Sequence, residues 1–157
     1  ASAPKGSKVL AQTSSDGPKP LFNLCVAQAT FGPDLELSVS LKAVRGKIDQ
    51  GGGLVWRYQD HNNYYIVRVN PLEANFRLYR VIGGKRTQIA SADVEPIHRK
   101  WQTIRVVHQG ERIRCYLDGQ LEIEAKDSTI RGPGRIGLWT KADAVTWFDH
   151  LVVTALK

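Results

Sequence analysis

Leu35-Glu36-Leu37-Ser38-Val39-Ser40-Leu41-Lys42 alternates one apolar and one polar side chain over eight residues. Successive side chains of a strand point to opposite faces, so a period of two predicts a β-strand buried on one side and solvated on the other. The same chemistry continues in both directions. Upstream, Lys8–Thr13 and Leu21–Thr30 read as strands separated by Ser14-Ser15-Asp16-Gly17-Pro18. Downstream, the runs are Leu54–Gln59, Tyr64–Asn70, Phe76–Ile82, Arg86–Ser91, Trp101–Gln109, Arg112–Leu117, Arg135–Lys141 and Val145–Ala155. Asp118-Gly119 is a two-residue hairpin turn, because both positions need positive φ. It leads into a return strand on which Leu121, Ile123 and Ala125 are expected to face inward. Helical periodicity is nearly absent. A dozen short strands with turn chemistry every 8–12 residues predict an all-β chain folded as two packed antiparallel sheets.

Size and charge narrow the classes. The 157 residues suit a single sandwich domain over 7–157, with 1–6 as a flexible lead. No run is long and apolar enough for a membrane helix. The start, Ala1-Ser2-Ala3-Pro4, suits what remains after signal-peptide removal or tag cleavage, and points to a secreted or periplasmic protein. Net charge is +7, and Arg77–Arg114 holds nine Lys/Arg against three Asp/Glu. Spaced along strands, these cations read first as a solvated face and second as a site for acidic polysaccharide; nucleic acid is not expected. Cys25 and Cys115 fit neither a zinc spacing nor CxxC, and whether they pair is open. P-loop, dinucleotide and Gly-x-Ser-x-Gly motifs are missing, which removes nucleotide and serine-hydrolase chemistry.

Three phrases carry a resemblance. They are Gly52-Gly53-Leu54-Val55-Trp56-Arg57-Tyr58 with Asn63-Tyr64-Tyr65-Ile66-Val67-Arg68-Val69, then Trp101-Gln102-Thr103-Ile104-Arg105-Val106 with Cys115-Tyr116-Leu117-Asp118-Gly119. The third is Gly134-Arg135-Ile136-Gly137-Leu138-Trp139-Thr140-Lys141-Ala142-Asp143, ending in Trp147-Phe148-Asp149-His150-Leu151. Over residues 8 to 155 the chain resembles the concanavalin A-like, laminin-G-like jelly rolls. Within them it is most similar to the secreted bacterial proteins grouped with 3-keto-disaccharide hydrolases, also called family 16 glycoside hydrolase-like. The resemblance implies a two-sheet jelly roll and a carbohydrate ligand, but the fold hosts lectins, glycanases and adhesion modules alike.

Candidate residues follow from both readings. If Tyr65, Val67 and Val69 face the core, then Tyr64, Ile66 and Arg68 line the other face, with Arg57 similarly displaced from Trp56 and Tyr58. Flat rings and forked guanidinium groups suit sugar rings and their hydroxyls. Arg57, Tyr64, Arg68, Trp139 and Lys141 are therefore the expected ligand contacts on a concave sheet, against the plainer reading that they pack a core. Trp101 and Phe148 are expected in the core. For catalysis the candidates are Lys141, Asp143 and His61, a Lys or His near carboxylates being able to move protons. Glu122 and Glu124 only partly match the family 16 acidic strand motif and read as a solvated face. No metal or cofactor is expected from the residues, although Asp60-His61-Asn62-Asn63 is oxygen-rich and laminin-G-like relatives carry calcium at a rim. Three functions stay open: a carbohydrate-binding module, a glycoside-cleaving enzyme, and a protein-interaction module.

Overall fold

The computed structural model describes residues 3–95 and 97–157; Ala1, Ser2 and Pro96 lie outside the described residues. Among the described residues, twelve strands form two six-stranded sheets. In chain order they are β1 (Leu10–Gln12), β2 (Phe22–Phe31), β3 (Leu35–Arg45), β4 (Gly52–Asp60), β5 (Asn63–Asn70) and β6 (Asn75–Ile82). There follow β7 (Lys85–Asp93), β8 (Trp101–Gln109), β9 (Arg112–Leu117), β10 (Gln120–Lys126), β11 (Gly134–Lys141) and β12 (Val145–Ala155). Sheet I has the order β1-β12-β3-β8-β9-β10 and sheet II the order β2-β11-β4-β5-β6-β7, every pair antiparallel. The described residues contain no helix long and apolar enough to cross a membrane.

The all-β jelly-roll expectation therefore holds, and the alternating residues do what their period demands. Leu35, Leu37, Val39 and Leu41 of β3 enter the inter-sheet core with Ile104, Val106, Ile113 and Cys115 of sheet I. Leu54, Trp56, Tyr65, Val67, Val69, Phe76 and Leu78 meet them from sheet II. Two polar groups sit inside this apolar layer. His108 is fully buried and its Nδ1 accepts a hydrogen bond from Trp56 Nε1 at 2.9 Å. Tyr65 Oη donates to Asp127 Oδ1 at 2.6 Å and accepts from the Ile130 N–H at 3.1 Å. Burial first, and the Asp127 contact second, push the Tyr65 phenol up to about 12.

Two expectations are overturned, for Leu121 and for Trp101, and the open question of the cysteines is answered. A bulge between Leu121 and Ile123 breaks the alternation of β10, so Ile123 is buried while Leu121 is 45% exposed. Trp101 opposes Lys42 on β3 and is only half-buried, because Lys42 lies on the face of sheet I away from Leu41. Cys115 is buried in the core while Cys25 is exposed on the edge strand β2, and both are free thiols. Four of the nine cations of the basic stretch are paired among the described residues, Arg77 with Glu73, Arg80 with Asp127, Arg105 with Glu36 and Arg112 with Glu124.

Candidate functional site

Sheet II has a second buried cluster on the face turned away from sheet I. Val55, Tyr64, Ile66, Val81 and Trp139 form it, with Phe22, Leu24 and Tyr58 packed against them. All eight belong to sheet II. Cross-strand register explains the set: Ile66 opposes Val55 and Tyr79, Tyr64 opposes Val81, and Trp139 opposes Leu24 and Gly53. The guanidinium of Arg86 lies 4.4 Å from the Tyr79 ring centroid, 5.1 Å from Phe22 and 5.8 Å from Trp139. Arg86 is on β7 and Phe22 on β2, the two edges of the sheet. Flat, those edges would stand about 24 Å apart at roughly 4.8 Å per strand. The sheet is therefore curled, concave on this face, and Arg86 bridges its walls. The closure explains why Tyr64 is only 1% exposed although it faces away from the inter-sheet core.

Beyond Arg86, at the end of the groove where β4 begins and β5 ends, a polar strip crosses the sheet. Arg68 donates to the side chain of Asn75, to Glu73 Oε2 at 2.8 Å and to Tyr79 Oη at 3.3 Å. Asp49, in the loop before β4, accepts from Asn70 Nδ2 at 2.9 Å and lies 3.4 Å from Lys141 Nζ. Burial raises the Asp49 carboxyl above its ordinary range, against the opposing pull of Lys141 and Arg68. At Glu73 burial acts the same way but is outweighed by Arg68, which holds that carboxyl low. Between Trp139 and Arg68 the row holds Gly53, where a Cβ would sit 1.8 Å from the Val67 carbonyl oxygen. Trp139 itself leaves its buried Nε1–H without a hydrogen-bond partner among the described residues.

Asp143 stands behind the strip and sets it in place. Its carboxylate accepts from the main-chain N–H groups of Lys47 (2.7 Å), Ile48 (3.0 Å) and Asp49 (2.9 Å), pinning the loop that presents Asp49. Burial disfavours its charge, but those N–H groups outweigh burial and keep its carboxyl below the usual range.

Of the residues singled out in the sequence, Arg68, Trp139 and Lys141 meet on the concave face, with Tyr64 deeper in the sealed cluster. Arg57 does not join them. A β-bulge gives it φ +45°, and its guanidinium donates to the carbonyls of Pro33 (2.9 Å), Ile130 (2.6 Å) and Gly110 (3.1 Å). The same bulge shifts the parity of β4, so Tyr58 packs with Tyr64 rather than with Trp56. His61 is exposed at the far end of the β4–β5 hairpin, roughly 23 Å along the strand from Gly53. Its neighbour Asp60 is engaged by the Asn62 N–H and the Asn63 amide, the bonding of a turn. Among the described residues no three His, Cys, Asp or Glu side chains converge as metal ligands. Glu124 pairs with Arg112, while Glu122 lines a separate cleft beside Asp118. Asp49, Asn70, Glu73, Tyr79 and Arg86 escape a sequence reading. Only Asn70, two residues after Arg68 and hence on its face, carries a local signal.

Residues 7–154 match the model of the 3-keto-alpha-glucoside-1,2-lyase-like domain. No curated protein sequence matches. Among solved structures, the carbohydrate binding module CBM66 from Bacillus subtilis superposes with a TM-score of 0.80 at 23% identity, over 90% of this chain and 84% of that one. A putative glycosyl hydrolase from Parabacteroides distasonis gives a TM-score of 0.66 at 15% identity, over 94% and 87%. The Bacillus licheniformis beta-glucanase gives 0.62 at 16% identity, over 84% and 70%. At these identities the likeness is one of fold.

Proposed function

From the premise that the chain belongs to the 3-keto-alpha-glucoside-1,2-lyase-like domain family, we propose that it binds carbohydrate at the concave face of sheet II, outside the cytoplasm. Residues 7–157 would be the working unit and 1–6 a lead. The observation that carries this reading is the polar strip itself: Lys141, Asp49, Asn70, Arg68 and Glu73 stand together beside the Trp139 ring. A sugar presents hydroxyls at its edge and C–H bonds on its face. Ionised donors and acceptors in a water-poor groove recognise the first, and an aromatic ring the second. The structural likeness to the module CBM66 supports the same reading. Tyr64 would support the floor, while Arg68, Trp139 and Lys141 would touch the ligand.

A second reading is favoured by one contact, the 3.4 Å Lys141–Asp49 pair. In a 3-keto-glucoside the carbonyl acidifies the proton at C2. A base that removes it lets the C1–oxygen bond break, a C1–C2 double bond form, and the leaving oxygen take up a proton. Asp49, raised by burial, would serve as base and Lys141 as acid. Both readings are tested by titrating mono- and disaccharides, including 3-keto-α-glucosides, against tryptophan fluorescence, with Arg68→Gln and Lys141→Gln beside the wild type. Saturable binding that each variant weakens by about tenfold or more supports the site. Binding untouched by both variants would move the ligand elsewhere. Release of the glycoside's alcohol by wild type, abolished in Asp49→Asn, would select the lyase reading.

A further inference from the structure

The loop over residues 46–50 has two sides. One presents Asp49 to Lys141; the other forms the wall of an open cleft of about 790 Å³ whose lining includes Arg45, Lys47, Gln50, His98, Arg99 and Asp143. Three cations and a histidine gather there. Arg45, Lys47 and Arg99 form no ion pair among the described residues, whereas Arg68, Arg77, Arg80, Arg105 and Arg112 all do. The one carboxylate in the lining, Asp143, is engaged by three main-chain N–H groups of the loop and faces none of these cations in a salt bridge.

The walls are also tied to one another. Gln50 Nε2 donates to the Gly46 carbonyl at 3.0 Å, and Gln50 Oε1 lies 3.2 Å from His98 Nδ1. The Arg99 N–H donates to the Ala43 carbonyl at 3.1 Å, with Arg99 held at φ +56°. Gly46, at φ +155°, lets the loop close: a Cβ there would lie 1.8 Å from the Asp49 carbonyl oxygen. Three cations around a cleft whose one carboxylate is turned to main-chain N–H groups repel one another, and an anion relieves that repulsion.

We propose that this cleft binds the anionic group of an acidic carbohydrate, a carboxylate or a sulfate ester, carried on the ligand next to the sugar ring held at the concave face. The identity of the ligand rests on the carbohydrate reading; the charge of its anionic group rests on the cleft alone. The probes are oligogalacturonate for the carboxylate, dextran sulfate for the sulfate ester, neutral dextran, and a random DNA duplex, at about 50 and 300 mM salt. Two charge-matched triple variants are compared. Arg45→Gln/Lys47→Gln/Arg99→Gln removes the cleft cations, and Lys85→Gln/Arg131→Gln/Lys157→Gln removes three at the opposite end of the sandwich, where β4 and β8 end and β5 and β11 begin.

The expected result is that one anionic polymer binds, that the cleft triple weakens it about tenfold or more, and that the distant triple changes it less than about twofold. Which polymer responds names the anionic group. Equal losses in the two triples, or no binding of either anionic polymer at the lower salt, would overturn the proposal. Equal affinity for the DNA duplex would overturn its carbohydrate part. If the cleft triple fails to melt cooperatively, Arg99→Gln and Lys47→Gln singly serve in its place. Failure of the concave-face reading shows separately, as neutral sugars that do not bind in the wild type while the cleft dependence persists.

Discussion

His108 makes the stability of this sandwich depend on pH in a way that can be worked out. Its imidazole is fully buried, edge-on to Tyr65 at 5.3 Å and to Trp56 at 6.3 Å, with Nδ1 accepting from Trp56. Burial first, and the nearby Arg57 cation second, lower its pKa from 6.5 to about 3. Above pH 6.5 neither the folded nor the unfolded chain protonates this histidine, and the contribution to the difference is nil. Between 6.5 and about 3 the unfolded chain binds a proton that the folded chain refuses, so stability falls with decreasing pH. At about 1.4 kcal/mol per pH unit, the loss between pH 7.5 and pH 5 amounts to about 2 kcal/mol. Urea unfolding at both pH values, in wild type and in His108→Gln, isolates the effect, because carboxylates common to both proteins cancel. Gln keeps an acceptor for Trp56 and cannot take up the proton. The variant starts less stable but should lose about 2 kcal/mol less than wild type over the interval. Parallel losses in the two proteins would refute the assignment of a neutral, proton-refusing His108.

Three further outcomes are expected. Arg57→Met strands the carbonyls of Pro33, Ile130 and Gly110 and should cost about 3 kcal/mol by urea unfolding without altering sugar titrations that still saturate. Asp143→Asn removes the charge that gathers three N–H groups; amide exchange at Lys47, Ile48 and Asp49 should accelerate, with a stability loss of about 1–3 kcal/mol. Because its carboxyl is held low, that contribution is full above pH 4 and is lost as pH falls through the lower folded value, which acid titration of the exchange rates would follow. Gly53→Val places a side chain against the Val67 carbonyl and the Arg68 Cα, so the β4–β5 register must yield; a loss of about 3 kcal/mol or more and weakened saccharide binding are expected, by thermal unfolding and fluorescence titration.

The strands were legible because their information is local. Alternation in β3 and the Asp118-Gly119 turn each act within a few residues, and the twelve strands of the described residues overlap the runs read from the sequence, with ends shifted by a few residues. Parity failed where one extra residue enters a strand. The bulge at Arg57 sends Tyr58 to the opposite face from Trp56, and the one beside Glu122 leaves Leu121 in solvent. A single inserted residue inverts everything after it, and neither Arg57 nor Glu122 is a glycine that would have marked the spot.

The site was less legible for a different reason, which is that curvature belongs to the whole sheet. Alternation does put Tyr64, Ile66 and Arg68 on one face, but it cannot say that β2 and β7 approach closely enough for Arg86 to lie over Phe22 and Trp139. That approach changes what the face is. Tyr64, which local reasoning offers as a stacking surface, becomes the sealed floor beneath Arg86, and the recognisable chemistry moves toward the end of the groove, where Asp49 and Lys141 meet across 92 residues of sequence. Asp49 reads locally as one polar residue before a glycine run. It becomes a site residue only because Asp143, on the turn after Lys141, reaches back to fix its loop. One short segment, Lys141 to Asp143, thus supplies both the cation of the pair and the clamp that positions its partner, so the charge and the geometry of the site rise or fall together.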